Sequence, residues 1–188
     1  SDDVDVRTGP FAVTAEGAPE ILDRLDIRVV DGTLRVGRKE GSNWLRSDRG
    51  ARIHVVMPRL TAVTVAGSGD LSAARVGGDF NGNIAGSGDM AIADLRAASV
   101  DLSVAGSGNV TVGGATDKLD ISIAGSGEVD ARRLRAARAD ISIAGSGSVR
   151  GVVKGPASVS LLGSGDVELT GGAKCDVSSL GAGEARCS

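Results

Sequence analysis

Gly-Ser-Gly recurs at 67–69, 86–88, 106–108, 125–127, 145–147 and 163–165, and a variant, Gly181-Ala182-Gly183, follows. The intervals are 19, 20, 19, 20, 18 and 18 residues. Self-similarity at a fixed period of this size is the signature of stacked repeats, in which each unit contacts only its neighbours. The flanks repeat as well. Val63-Thr64-Val65, Leu102-Ser103-Val104, Ile121-Ser122-Ile123, Ile141-Ser142-Ile143 and Val159-Ser160-Leu161 lead into corners. Asp70-Leu71-Ser72-Ala73, Asp89-Met90-Ala91-Ile92, Asn109-Val110-Thr111-Val112 and Asp166-Val167-Glu168-Leu169 lead out. Alternation with period two is the pattern of a half-buried strand, apolar members inward and Ser or Thr outward.

Each unit therefore reads as strand, glycine corner, strand and a looser return such as Leu95-Arg96-Ala97-Ala98 or Leu134-Arg135-Ala136-Ala137. One unit cannot bury its apolar side alone; strands stacked about 4.8 Å apart make a continuous core. The predicted fold is all-β: a single-stranded parallel β-helix of about seven coils of 18–20 residues, roughly 30 Å long. A right-handed coil is favoured, the hand that parallel crossovers prefer. The structural corners are Gly67, Gly69, Gly86, Gly88, Gly106, Gly108, Gly125, Gly127, Gly145, Gly147, Gly163 and Gly165. A sharp corner needs positive φ and close backbone approach, both of which glycine permits. The serine between them is suited to local hydrogen bonding of freed backbone groups. Hexapeptide helices, calcium-binding nonapeptide rolls and leucine-rich repeats all require other spacings or ladders. One coil departs: in Phe80-Asn81-Gly82-Asn83-Ile84 an apolar position is Gly82, and Phe80 is placed to fill the space.

Residues 61–188 form this repeat, and 1–60 lack it. The first 60 residues still read as β: Val4-Asp5-Val6, Phe11-Ala12-Val13, Asp26-Ile27-Arg28-Val29, Thr33-Leu34-Arg35-Val36 and Arg52-Ile53-His54-Val55-Val56. Asp31-Gly32 signals a hairpin turn, Pro19 to Asp23 a helical turn, and 38–51 a polar loop carrying Trp44. We read 1–60 as an N-terminal β cap continuous with the helix, since a stacked array otherwise ends in exposed core and unpaired edge.

Composition narrows the function. With 29 glycines and only Phe11, Trp44 and Phe80 as aromatics, the core must be Val, Ile, Leu and Ala. A net charge of −3 with interspersed signs argues against nucleic acid. No apolar run approaches the roughly 20 residues of a membrane span. The opening Ser-Asp-Asp fits a cytoplasmic protein or an export product whose signal has been removed. Cys175 and Cys187 match no zinc spacing. They are either a disulfide clamping the last rung of an exported protein or two free thiols.

The repeat, the lead-in Met57-Pro58-Arg59-Leu60-Thr61-Ala62-Val63-Thr64-Val65-Ala66-Gly67-Ser68-Gly69, and Ile21-Leu22-Asp23 with Asp31-Gly32-Thr33-Leu34-Arg35-Val36 together resemble the GIN domain, an autotransporter-adhesin head domain. The resemblance spans nearly the whole chain. It implies a bacterial, exported, β-helical protein of the periplasm or cell surface. It brings no catalytic residues.

Several clusters carry side chains capable of chemistry. Asp70, Asp89, Asn109, Glu128, Ser148, Asp166 and Glu184 follow the corners. A Ca²⁺ ion would relieve repulsion in such a ladder, but a row of solvated turn residues fits better with its neutral members. Asp101, Asp120, Asp140 and Asp176 precede Ser103, Ser122, Ser142 and Ser178 by two residues. Paired carboxylates can serve a polysaccharide lyase or hydrolase, yet the sugar-gripping aromatics are missing and a polar exterior is the simpler reading. His54 reads as an outward strand residue; no nucleophile-elbow motif accompanies it for Ser-His-Asp catalysis. Arg132, Arg133, Arg135, Arg138, Arg150 and Lys154 form the one basic cluster, suited to an anionic glycan or lipid headgroup or, more simply, to a solvated return. Trp44 reads as a cap cover or a binding anchor.

The sequence thus points to a non-enzymatic envelope or cell-surface binding or structural module, adhesin-like, without cofactor, metal or catalytic residues. Its expected partner is an envelope polysaccharide or a protein, and self-association through ends or side faces is open. The alternatives are the ectodomain of an envelope-stress or signalling system and, third, the polysaccharide enzyme.

Overall fold

The computed structural model describes residues 2–30, 32–39 and 50–188. Trp44 and most of the polar loop 38–51 lie outside the described residues. Before the first corner come β1 (Asp3–Thr8), β2 (Ala12–Glu16), α1 (Pro19–Leu22), β3 (Leu25–Val30), β4 (Thr33–Arg38) and β5 (Arg52–Met57). β6 (Ala62–Gly67) and β7 (Leu71–Gly77) flank that corner, and β8 (Phe80–Gly86), β9 (Met90–Gly106), β10 (Asn109–Gly125) and β11 (Glu128–Gly145) follow. The chain closes with β12 (Ser148–Val153), β13 (Pro156–Gly163), β14 (Asp166–Thr170), β15 (Lys174–Gly181) and β16 (Ala185–Cys187). The fold is a β-solenoid of about seven turns.

Every pairing from β6 onward is parallel and in repeat register. Gly67, Gly86, Gly106, Gly125, Gly145, Gly163 and Gly181 stack on one another. So do Val65, Ile84, Val104, Ile123, Ile143 and Leu161, all buried. β-Branched side chains fill a pleated inner surface well, which is how a core forms here without aromatics. Phe80 is the exception, and it is buried. A Cβ on Gly82 would lie 3.1 Å from Phe80 Cε1, 3.1 Å from Met90 Sδ and 3.0 Å from Leu102 Cδ2. The phenyl ring and the thioether occupy the volume that the glycine leaves.

The two corner glycines serve different ends. The first of each pair has positive φ, from 98° at Gly67 to 134° at Gly86. The second is required by contact: a Cβ on Gly127 would lie 2.6 Å from Val104 Cγ1, and one on Gly147 2.7 Å from Ile123 Cγ2. The serine acts through its backbone. Ser107 N–H donates to Gly86 O at 2.9 Å, Ser126 to Gly106, Ser146 to Gly125 and Ser164 to Gly145 at the same distance. Ala182 donates likewise to Gly163, at 2.9 Å. The hydroxyl is therefore dispensable to the corner, and the expected local bond from serine Oγ gives way to a coil-to-coil amide ladder.

The return is not loose. β9, β10 and β11 run 17, 17 and 18 residues, through the return and into the next lead-in. Leu95 and Leu134 point inward and are fully buried, which makes the return a third paired wall. Register shifts at Thr111/Gly113 and Ala131/Arg135 absorb the difference between coil lengths.

At the N-terminal end β1 lies between β5 and β7, parallel to both, and β2 pairs antiparallel on β5. β3 and β4 form the antiparallel hairpin that Asp31-Gly32 predicts, Val30 facing Thr33. Buried Ile21 and Leu25, with Ile27, Leu34 and Val36 beside them, pack on the core. Asp2 ties the hairpin down: its carboxylate accepts from Arg38 Nη2 at 2.7 Å, Arg38 Nε at 2.8 Å and Ala51 N–H at 2.8 Å. At the other end Cys175 on β15 and Cys187 on β16 form a disulfide with a Cα–Cα distance of 6.3 Å. They take the inward positions of Ala157 and Leu169 in the preceding coil, so the bond crosses the interior of the last coil.

Candidate functional site: the outward face before the corners

The lead-in strands place three outward columns side by side. Asp101, Asp120, Asp140, Ser158 and Asp176 are consecutive members of the first. Ser103, Ser122, Ser142, Ser160 and Ser178 form the second. The third is Ala105, Ala124, Ala144, Leu162 and Leu180. Parallel register stacks like on like, so these rows are straight and the face is flat. A shallow groove of about 590 Å³ runs along the Asp and Ser columns across five coils. Small serine side chains form its floor, and the carboxylates stand along one side.

Lys118, which the sequence reading missed, sits two residues before Asp120 on the same outward face. Its ammonium lies 2.8 Å from Asp120 and 3.6 Å from Asp140. The hydrogen bond to Asp120 and the charges of both carboxylates raise its pKa. The ladder's repulsion is thus partly neutralised from within the protein. The repeat itself carried the signal: Lys118 and Arg138 stack as basic residues in adjacent coils, each two residues before an aspartate of the ladder.

The acids after the corners have a different use. Asp70 Oδ1 accepts from Asp89 N–H at 3.0 Å, Asp89 Oδ1 from Asn109 N–H at 2.9 Å, and Asp166 Oδ1 from Glu184 N–H at 3.2 Å. Each carboxylate caps an amide of the next coil, and Asn109 Nδ2 also donates back to Asp89 Oδ1 at 3.0 Å. Glu128 instead pairs with Arg150. Among the described residues no group of three or more His, Cys, Asp or Glu side chains is arranged to hold a metal ion.

His54, half-buried, lies opposite Asp5 and makes a 3.4 Å contact from Nδ1 to Asp5 Oδ2. Ser72 Oγ donates to Asp5 Oδ1 at 3.1 Å. Serine, histidine and aspartate do meet, but in the wrong order. Catalysis needs histidine between serine and aspartate; here the aspartate is central. Burial opposes ionisation of Asp5. The bonds from Ser72 and His54 and the Arg7 charge outweigh it and hold the carboxyl below its ordinary value.

The basic cluster divides in two. Arg132 forks onto Asp130 with Nε 2.9 Å and Nη2 2.5 Å away, and Arg150 pairs with Glu128 and Glu168. Arg133, Arg135, Arg138 and Lys154 are exposed and make no ion pair with any described residue. The Arg132 hydrogen bond holds the Asp130 carboxyl at about 2. A carboxylate whose folded pKa is depressed adds stability above its unfolded pKa near 4 and loses it as pH falls through the folded value. We therefore expect the Asp130 side-chain NMR resonance to titrate with a midpoint near pH 2, and at a higher pH in Arg132→Ala.

No helix among the described residues is long and apolar enough to cross a membrane. Nothing among curated proteins matches the sequence significantly. Solved structures do match the fold. A crystal structure described as a putative adhesin from Bacteroides fragilis superposes with a TM-score of 0.89 at 18% identity, covering 99% of this chain and 88% of the other. One described as a putative lipid binding protein from Parabacteroides distasonis gives 0.75 at 22% identity, covering 100% and 89%. A putative adhesin from Parabacteroides merdae gives 0.73 at 18% identity, covering 99% and 88%. The family model for "Putative auto-transporter adhesin, head GIN domain" matches residues 1–173. On that match, and on a solenoid whose corners, walls and N-terminal hairpin carry the motifs of the resemblance, the chain belongs to the head GIN domain family.

Proposed function

We propose that the protein is a non-enzymatic, adhesin-like binding module of the bacterial envelope or cell surface, and that the Asp/Ser face is its ligand-binding surface. The observation that carries this reading is the groove itself: five coils long, floored by serine hydroxyls, edged by carboxylates and rigid by register. Rows of hydroxyl and carboxylate oxygens about 4.8 Å apart present a repetitive hydrogen-bonding surface. They suit an extended polymer better than a compact small molecule. In this reading residues 1–60 act as the cap, and the protein is exported.

The face suits catalysis poorly. An acid and a base need unlike environments that push their pKa values apart. Asp120 and Asp140 share the ammonium of Lys118, Asp101 and Asp176 are exposed, and no wall excludes water. Of the described aromatics, Phe80 is buried and Phe11 lies near β2, so neither reaches the groove. The purified domain is to be tested on an array of envelope and host glycans with and without Ca²⁺. Binding to extended, hydroxyl-rich polymers supports the proposal; a blank array in both conditions argues against a glycan and in favour of a protein partner.

A further inference from the structure

The return wall carries charge of the opposite sign to the molecule as a whole. Residues 94–98, 113–118, 133–138 and 152–154 stack as its four central coils. They hold six cations, Arg96, Lys118, Arg133, Arg135, Arg138 and Lys154, against two carboxylates, Asp94 and Asp117, in a chain of net charge −3. Arg96 leans on Asp94 at 3.6 Å and Lys118 on Asp120. The other four cations are unpaired among the described residues. Arg133 and Arg135 alternate outward around buried Leu134, about 7 Å apart along one strand. Lys154 joins them from the next coil, where its N–H donates to Ala136 O at 3.0 Å. Arg138 lies around the next corner, in register with Lys118 and two residues before Asp140.

Like charges this close on a sheet repel. Elsewhere the protein relieves such repulsion by pairing, as at Arg132–Asp130, Arg38–Asp2 and Arg186–Glu184. Here none of Arg133, Arg135, Arg138 and Lys154 has a carboxylate within ion-pair distance among the described residues. Three of the four unpaired cations are arginines, whose planar fork matches two phosphate oxygens at once. The neighbouring outward residues are Ala98, Ala115, Asp117, Ala137 and Val152, none of them large enough to wall in a small anion. Arg133, Arg135 and Lys154 stand on one wall and do not converge on a point. We propose that this patch, centred on Arg133, Arg135 and Lys154 with Arg138 at its border with the Asp/Ser face, docks the protein onto a phosphate-bearing anionic lipid surface.

Sedimentation with vesicles tests this, using phosphatidylcholine alone and phosphatidylcholine with 30 mole per cent phosphatidylglycerol, roughly the charge of an anionic leaflet. The wild type is expected to bind only the anionic vesicles and to be released by roughly 0.5 M salt. Arg133→Glu/Arg135→Glu is expected to weaken binding by about 30-fold or more. Arg135→Glu/Lys154→Glu should do the same, and the two variants guard each other against a folding defect. The charge-matched Arg28→Glu/Arg35→Glu, in the hairpin, should bind like the wild type. Four results would overturn the proposal: no binding to anionic vesicles, an equal loss in the hairpin variant, displacement by inorganic phosphate beyond that of chloride at equal ionic strength, or tighter binding to duplex DNA than to vesicles at equal phosphate concentration. A blank glycan array would leave it intact, because Arg133, Arg135 and Lys154 lie outside the Asp/Ser groove.

Discussion

Gly125→Val is expected to lower the melting temperature by about 10 °C or more, whereas Asp120→Ala should change it by no more than about 2 °C. Gly125 has φ of 132°, a conformation that a β-branched residue adopts only under strain. A Cβ there would also fall on the carbonyl oxygen of Gly106. That oxygen belongs to the corner below and accepts the Ser126 amide, so it cannot retreat without breaking the ladder. Strain, clash and a lost buried hydrogen bond together cost about 3 kcal/mol or more. Asp120 is partly exposed, and its removal forfeits one surface ion pair, worth well under 1 kcal/mol. Differential scanning calorimetry on the two variants decides the matter; equal, small shifts would mean that the corners do not hold the stack together.

Reducing the Cys175–Cys187 bond, or replacing both residues by serine, should unzip the last coil and leave the centre intact. The bond closes a loop of 12 residues, for which the chain-entropy model gives about 3 kcal/mol. In a solenoid that stabilisation is local, because each coil contacts only its neighbours. The last coil has little else. Val177 is 44% exposed where Val159, its partner one coil earlier, is 2% exposed. Hydrogen exchange is expected to accelerate at residues 174–188 on reduction, with residues 100–145 unchanged. Uniform acceleration along the chain would show that the bond stabilises the whole stack.

The sequence made the solenoid legible because one corner motif recurs in nearly every coil and because period-two alternation assigns inside and outside without ambiguity. Gly82 was read correctly for the same reason: a missing side chain in a regular column calls for a neighbour such as Phe80 to fill it. The return was misjudged as loose. Its Leu-Arg-Ala-Ala segments alternate too briefly to stand out, and they pair only because adjacent coils hold them in register. The corner serines were also misjudged. Their hydroxyls drew attention, while the amide that every residue but proline owns does the bonding, as Ala182 shows. Of the candidate site, the Asp and Ser columns could be read from the repeat alone. The groove could not, nor could Lys118 bridging two carboxylates, because both depend on register between strands 20 residues apart. The split of the basic cluster into paired Arg132 and Arg150 and the unpaired remainder is likewise a matter of which carboxylate stacks beside which guanidinium.

The central claim is that the Asp/Ser face binds. Its most direct test is a binding titration of the strongest array ligand with the wild type and with Ser122→Arg/Ser142→Arg, which plants two bulky side chains on the groove floor, using Ser87→Arg/Ser126→Arg at the exposed corners as the matched control. The account predicts a loss of at least about tenfold in affinity, or roughly 1.4 kcal/mol, for the groove variant and wild-type affinity for the corner variant. Equal affinities for the wild type and the groove variant, with both variants melting normally, would contradict it.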